Sequence, residues 1–188
     1  MKNFGIVLGV ILLIGLAAFG WYRQGYDAAI KKDEGVKSSW AQVENQLQRR
    51  NDLIPNLVNT VKGFAAQEKG VLTEVTKLRS QWGEAKTIPD KIENAEAISS
   101  AVSRLLLVAE SYPQLKSDQN FLALQSQLEG TENRIAVERM RYNEAVRDFN
   151  AFRRTFFGRF FATQAGVSEA AVYFQVEEKV KEVPQVSF

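Results

Sequence analysis

Residues 38–82 read SSWAQVENQLQRRNDLIPNLVNTVKGFAAQEKGVLTEVTKLRSQW. Counted in sevens from Trp40, one set of positions holds Trp40, Leu47, Ile54, Val61, Glu68, Val75 and Trp82. The interleaved set holds Val43, Arg50, Leu57, Phe64, Val71 and Leu78. Apolar residues recurring alternately after three and four positions lie on one narrow stripe of a long helix, which must be covered by other helices. The stretch therefore predicts an all-α chain.

Two positions of that seam carry charge. Arg50 and Glu68 stand about 27 Å apart at 1.5 Å of rise per residue, too far to pair with each other. Each either reaches out from the seam edge or meets an opposite charge on a neighbouring helix, or else the two fix register or subunit pairing. Pro55 lies in the same stretch and removes one backbone hydrogen bond. Because the heptad phase continues across it, the sequence predicts a kink in one rod, with a break into two helices as the alternative.

The run from Trp40 to Ala65, WAQVxxQLxRRxDLIPNLVxTVKGFA, resembles the signature of the LemA family of bacterial membrane-anchored helical proteins. Glu68, the stretch EGTENRIAVERMRYNEAVRDFN from Glu129 to Asn150, the later VYFQ and the closing PQVSF extend the likeness over nearly the whole chain. The resemblance implies an N-terminal membrane span, an elongated antiparallel helical domain and no established enzymatic activity.

Composition narrows the chemistry. The 188 residues include 24 basic and 22 acidic side chains, a balance that gives no pull towards nucleic acid or any acidic partner. Cysteine is absent, which removes disulfides, thiolate nucleophiles and iron–sulfur ligands. Histidine is absent too, and with it the commonest general base and transition-metal ligand. No nucleophile with a base, glycine-rich phosphate loop or spaced ligand set stands out, so the sequence predicts no catalysis, no cofactor, no metal and no small-molecule substrate.

From Phe4 to Tyr22 the chain reads FGIVLGVILLIGLAAFGWY, without a charge. As a helix this run is about 28 Å long, close to the hydrocarbon thickness of a bilayer, and Trp21 and Tyr22 fall where an aromatic belt belongs. Residues 1–23 are accordingly expected to be a transmembrane anchor; a cleaved signal peptide cut near Ala18-Phe19-Gly20 is the competing reading. Gly5 and Gly9 form a GxxxG pair through which two spans can pack. Lys2 precedes the span and Arg23, Lys31, Lys32 and Lys37 follow it, which favours a cytoplasmic over a periplasmic or extracellular domain at a bacterial inner membrane.

Residues 24–37 read as a linker, partly helical, before a bundle over 38–157. A first helix capped by Ser38 or Ser39 runs to Trp82 and stops at Gly83. A second starts after Thr87-Ile88-Pro89-Asp90 and buries Ile92, Ala95, Ile98, Val102, Leu105, Leu106 and Ala109. It ends near Tyr112, before Pro113. A third, capped by Ser117 or Asp118, repeats the seam with Phe121, Leu128, Ile135, Tyr142, Phe149 and Phe156, interleaved with Leu124, Thr131, Glu138, Ala145 and Phe152. The expected architecture is an elongated antiparallel bundle of three helices, or four if Pro55 breaks the first, with a short extended tail.

Glu138 is the seam charge of the third helix. Arg50 with Glu138, and Glu68 with Arg104 or Arg134, are the expected pairings. Tyr142-Asn143 and Phe149-Asn150 repeat an aromatic–amide couplet at a spacing of seven, suited to packing with an interhelical hydrogen bond or to a subunit contact. Residues 158–188 form an aromatic, partly extended C-terminal segment. Around its start, Phe156, Phe157, Phe160 and Phe161 alternate with Arg153, Arg154 and Arg159. Such a cluster suits a bundle cap, an oligomer contact or an anionic membrane surface. With three helices running up, down and up from the anchor, the third ends far from the bilayer, which ranks these uses in that order. Val172 to Phe174 and Val183 to Phe188 resemble short strands or a tail laid on a neighbour.

Two functional classes follow. One is a non-catalytic, membrane-anchored scaffold that self-associates as a homo-oligomer through its helical rod. The other is a monomeric tethered adaptor or accessory module for an unknown envelope or signalling protein. The GxxxG pair, the amide couplets and the aromatic cluster favour the first.

Overall fold

The computed structural model describes residues 2–175. Six helices follow in order: α1 (Lys2–Phe64), α2 (Lys69–Glu84), α3 (Ile88–Glu110), α4 (Pro113–Lys116), α5 (Gln119–Arg154) and α6 (Phe156–Gln164). No strand occurs among the described residues, and the all-α expectation holds. The chain divides into two compact units. One takes the residues up to Trp40 together with Tyr142–Ala171, and the other takes Ala41–Arg141 with the described residues from Val172.

The expected linker is helix. α1 passes through residues 24–37 without interruption, so Ser38 and Ser39 lie inside it and cap nothing. Surface pairs between Asp33 and Lys37 (2.7 Å) and between Glu34 and Lys37 (2.9 Å) help only a little, as exposed helical pairs do. Packing does more. Ala29 and Val36 are buried with Trp40 and Val43, and they continue the heptad seam backwards from Val43 in steps of seven.

Pro55 neither ends nor breaks α1. Its ring nitrogen has no hydrogen to give the carbonyl of Asn51, one turn earlier. That carbonyl instead accepts from the Arg79 Nε of α2 at 3.2 Å. The helix ends later, at Phe64, and Ala65–Glu68 turn the chain into α2. The single first rod of the sequence reading is therefore two antiparallel helices. Phe64, placed on the seam by the heptad count, is 39% exposed, while Ala65 is fully buried.

Later boundaries follow local capping. Thr87 accepts from the Asp90 amide at 3.2 Å and Pro89 occupies the first turn of α3, the position where its missing N–H costs nothing. Asp118 Oδ1 accepts from the Phe121 amide at 2.9 Å and starts α5. The chain leaves α3 at Glu110, and Pro113 opens the single turn of α4.

In the second unit, α2 returns antiparallel to α1, α3 runs beside α1 in the same direction, and α5 runs against it. Contacts fix the stagger: Glu44 meets Lys91, Arg50 reaches Ala95 and Ser99, and Arg50 meets Glu132. The core is Leu47, Ile54, Leu57 and Val61 of α1, Leu72, Val75 and Trp82 of α2, Ile98 and Leu105 of α3, and Phe121, Leu128 and Ile135 of α5. Phe174 is buried here as well, beneath the Arg139 guanidinium at 4.2 Å from its ring centre.

In the first unit, α1 and the second part of α5 lie antiparallel. Trp40 meets Tyr142 edge-on at 5.4 Å, Lys32 sits 5.9 Å over the Phe152 ring, and Trp21 meets Phe157 at 5.2 Å. The pairing overturns the up, down and up path expected from the sequence. Because the first rod is really two helices, α5 is a returning helix, and it leads the chain back to Trp21 at the edge of the apolar run. Phe156, counted on the seam of the third helix, lies beyond its end, on the separate helix α6. Past α6, residues 171–175 have no regular structure, so of the two forms expected at Val172 to Phe174, a short strand or an extended tail, the strand does not form. Val183 to Phe188 lie outside the described residues.

Candidate interaction surface

Arg50 is 1% exposed, a charged side chain buried as fully as the apolar core around it. Its guanidinium donates to Ser99 Oγ and Glu132 Oε1 (2.9 Å) through one nitrogen, and to the Ala95 carbonyl (2.9 Å) through the other. One side chain of α1 thus ties α3 and α5 together. Burial pushes its ionisation down from the ordinary arginine value, and the Glu132 carboxylate pulls it back up. The expected partner, Glu138, lies one and a half turns further along and bonds Arg141 of its own helix at 2.7 Å. Glu132 was missed because it falls outside the seam count, on the flank of α5 next to buried Thr131.

Glu68 sits at the turn between α1 and α2. It accepts from the Tyr112 hydroxyl at 3.0 Å, and that hydroxyl accepts from Gln67 Nε2 at 2.8 Å. The bond to the Glu68 carboxylate raises the Tyr112 phenol above its usual value, with burial adding to the effect. Neither expected basic partner is used: Arg104 pairs with Glu74 of α2.

Asn150 and Asn143 differ from a repeated ladder. Asn150 donates to the Ala171 carbonyl (2.9 Å) and accepts from the Ala171 amide (3.0 Å), gripping one residue of the extended segment as a strand neighbour would. Asn143 is half-buried one heptad earlier on α5. Beside Asn143, Tyr142 is fully buried, and desolvation pushes its phenol up to about 12.

The aromatic cluster divides sharply. Phe161 is buried at 3%, wedged against Trp21 (5.1 Å) and Tyr22 (5.8 Å). It occupies the notch left by Gly25, where any Cβ would overlap its ring. Phe156, Phe157 and Phe160 are 85%, 55% and 45% exposed. Both ends of α6 are built rather than frayed. Thr155 Oγ1 accepts from the Gly158 amide at 3.0 Å, and a Cβ on Gly158 would overlap the Phe152 carbonyl, so only glycine lets the helix turn this tightly off α5. At the other end Gly166, at φ +73°, and Val167 send their amides back to Thr163 (3.1 Å) and Ala162 (2.9 Å).

Ahead of this cluster, α1 is long and apolar enough to cross a membrane, and no residue of its most apolar stretch is buried. Gly9 has nothing within 4 Å of the place a Cβ would take, and Gly5 lies in the same helix.

The model of the LemA family matches residues 39–188. Magnetosome protein MamQ 2 and Magnetosome protein MamQ 1 of Paramagnetospirillum magneticum are each 25% identical over 171 residues, covering 76% of this chain and 62% of theirs. Magnetosome protein MamQ of Magnetospirillum gryphiswaldense is 22% identical over 171 residues, covering 77% and 63%. The chain therefore spans a little under two thirds of the length of these relatives.

Proposed function

The chain belongs to the LemA family, and on that premise we propose that it is a non-catalytic protein of the bacterial inner membrane, anchored by residues 1–23, whose helical rod self-associates into a scaffold. The observation that carries this reading is the join between anchor and rod. Within the first unit no loop separates the uncovered apolar run from Trp40, where a protein tethered for flexible reach would place one. The basic residues after the span, Arg23, Lys31, Lys32 and Lys37, favour a cytoplasmic rod. The relatives' names associate those proteins with the magnetosome.

Gly5 and Gly9 supply a close-packing stripe for the span, and the exposed rings of α6 supply apolar surface beside it. Two measurements test the reading. Alkaline carbonate extraction should leave the full-length protein in the membrane pellet; release into the supernatant rejects the anchor. Light scattering in mild detergent, on the full chain and on a version lacking Met1 to Arg23, reads assembly. One defined particle from both assigns assembly to the rod, and assembly of the full chain alone assigns it to the span. Monomers in both cases reject the scaffold and turn attention to a tethered adaptor for another envelope or signalling protein.

A further inference from the structure

Folding leaves the outer face of α6 without a use. Three of its four phenylalanines are exposed, although the same nine residues carry a side-chain cap at one end and a glycine-closed hydrogen-bonded turn at the other. A helix held this firmly in place, with its largest apolar side chains facing outward, presents a surface for something else.

What the surface adjoins identifies its occupant. Phe157 packs edge-on against Trp21, and Phe161 holds α6 to Trp21, Tyr22 and Gly25. Trp21 ends the run in which Phe4, Ile11, Leu13, Ile14 and Phe19 are all more than 60% exposed. The bare rings of α6 are thus continuous with the surface that a bilayer covers in the anchor. Charge agrees. The twenty residues from Phe149 to Ser168 contain three arginines and no acid. Arg153 is turned inward to the Ser168 carbonyl, while Arg154 and Arg159 remain exposed. Together with Phe156 and Phe160 these two border an open cleft of about 630 Å³. Bulky rings beside exposed guanidinium groups match the boundary zone of a bilayer, where acyl chains meet phosphates.

We propose that α6 is a second membrane contact, lying in the surface of the same bilayer that α1 crosses. Phe156, Phe157 and Phe160 enter the acyl boundary, and Arg154 and Arg159 bind the phosphates of anionic phospholipids. The inference rests on the reading of residues 1–23 as a span and extends it: the chain touches lipid at two places over a hundred residues apart in sequence, one crossing and one lying flat. Two contacts fix the rotation of the anchor about its own axis, which a single span leaves free.

The absence of cysteine makes the test direct, because any introduced cysteine is the sole labelling site. Full-length protein is reconstituted in mixed phosphatidylcholine and phosphatidylglycerol vesicles with a nitroxide at Leu12→Cys, Phe156→Cys, Phe160→Cys or Glu144→Cys. Collisions with oxygen and with a water-soluble nickel chelate then report depth. Leu12→Cys should read as hydrocarbon and Glu144→Cys as water, with both α6 sites shifted towards oxygen relative to Glu144→Cys. Reversing Arg154 and Arg159 to glutamate, or using phosphatidylcholine alone, should return the α6 labels towards water and leave Leu12→Cys in place. Phe156 packs least of the three, so its variant guards against loss of the helix itself. Labels on α6 as wet as Glu144→Cys, with Leu12→Cys buried, overturn the proposal and leave the anchor standing. A wet Leu12→Cys overturns the anchor as well. Spin–spin broadening at Phe156→Cys assigns the face to a second copy and overturns lipid as its occupant. An α6 depth unmoved by charge reversal overturns the phosphate contact.

Discussion

The two interruptions of the first heptad seam make opposite outcomes from opposite materials. Around Arg50 and Pro55 the sequence contains a buried charge and the strongest helix breaker, yet α1 runs on. At Ala65-Ala66-Gln67-Glu68 every residue is a good helix former, yet the helix stops. The difference lies in where the freed backbone and polar groups find partners. Next to Pro55, Arg79 of α2 takes the orphaned Asn51 carbonyl, and Arg50 is held by two further helices. At the turn, Ala65 is buried, the Glu68 amide bonds back to the Ala65 carbonyl, and the Glu68 carboxylate finds Tyr112. Tertiary partners, rather than propensity, decide continuity here.

Substitutions can break that comparison. Arg50→Ala should have the largest effect, a loss of roughly 3–5 kcal/mol in urea denaturation, because it removes a buried side chain and strands the groups that it ties together. Arg50→Met, which refills most of the volume, should lose much less. If the two variants are equally destabilised, the hydrogen bonds matter more than the packing.

Next is Pro55→Ala, which restores the missing N–H and should stabilise by up to about 3 kcal/mol. Arg79→Ala should cost about 2 kcal/mol in the natural background, as loss of a charged donor does, and close to nothing beside Pro55→Ala. A double-mutant cycle without coupling would show that Arg79 does not serve the proline.

Asn51 sharpens the same point on a smaller scale. Its carbonyl is satisfied, but its buried side-chain amide has no hydrogen-bond partner among the described residues. Asn51→Leu should therefore gain about 1 kcal/mol, read as a raised denaturation midpoint.

The smallest effect belongs to the turn. The Tyr112 phenol is raised above its ordinary value of 10.0 mainly by its bond to Glu68. A group raised on folding contributes fully below its unfolded pKa, and the contribution is lost as pH rises through the higher folded value. The melting temperatures of the natural protein and Tyr112→Phe should differ at pH 8 and converge above pH 10.

The features legible in the sequence were local ones. Asp118 and Pro113 mark boundaries by chemistry confined to one turn, and the structure starts α5 at one and ends α3 shortly before the other, whereas α3 begins at Ile88, inside the turn that the sequence predicts over residues 87–90. Arg50 stood out because a charge at an apolar position is visible in one dimension. Its partner was not, since Glu132 rather than Glu138 depends on how far α5 slides along α1. The seam drifted for a similar reason. Val146 is buried where a strict count of seven gave Ala145, because 3.6 residues per turn fall behind a 3.5 repeat by about 20° per heptad, and Leu72 is buried in place of Val71 because the count crosses the turn from α1 into α2. The helix end at Phe64 left only faint signals, Gly63 and Gly70 on either side and a charge at Glu68. Missing it changed the parity of the bundle, which moved α6 from the far end to Trp21.

That pairing also sets an order of events during synthesis. Residues 21–40 leave the ribosome early, but the segment that closes over them, Tyr142 to Gln164, is made more than a hundred residues later. α2 and α3, neighbours in sequence, can dock as soon as they emerge, whereas the first unit must wait for residues more than a hundred positions further on. In that interval the notch at Gly25 stands open and Trp21 has no ring against it. Closure by Phe161 thus follows the docking of α2 on α3, and a chain released before residue 161 would lack it.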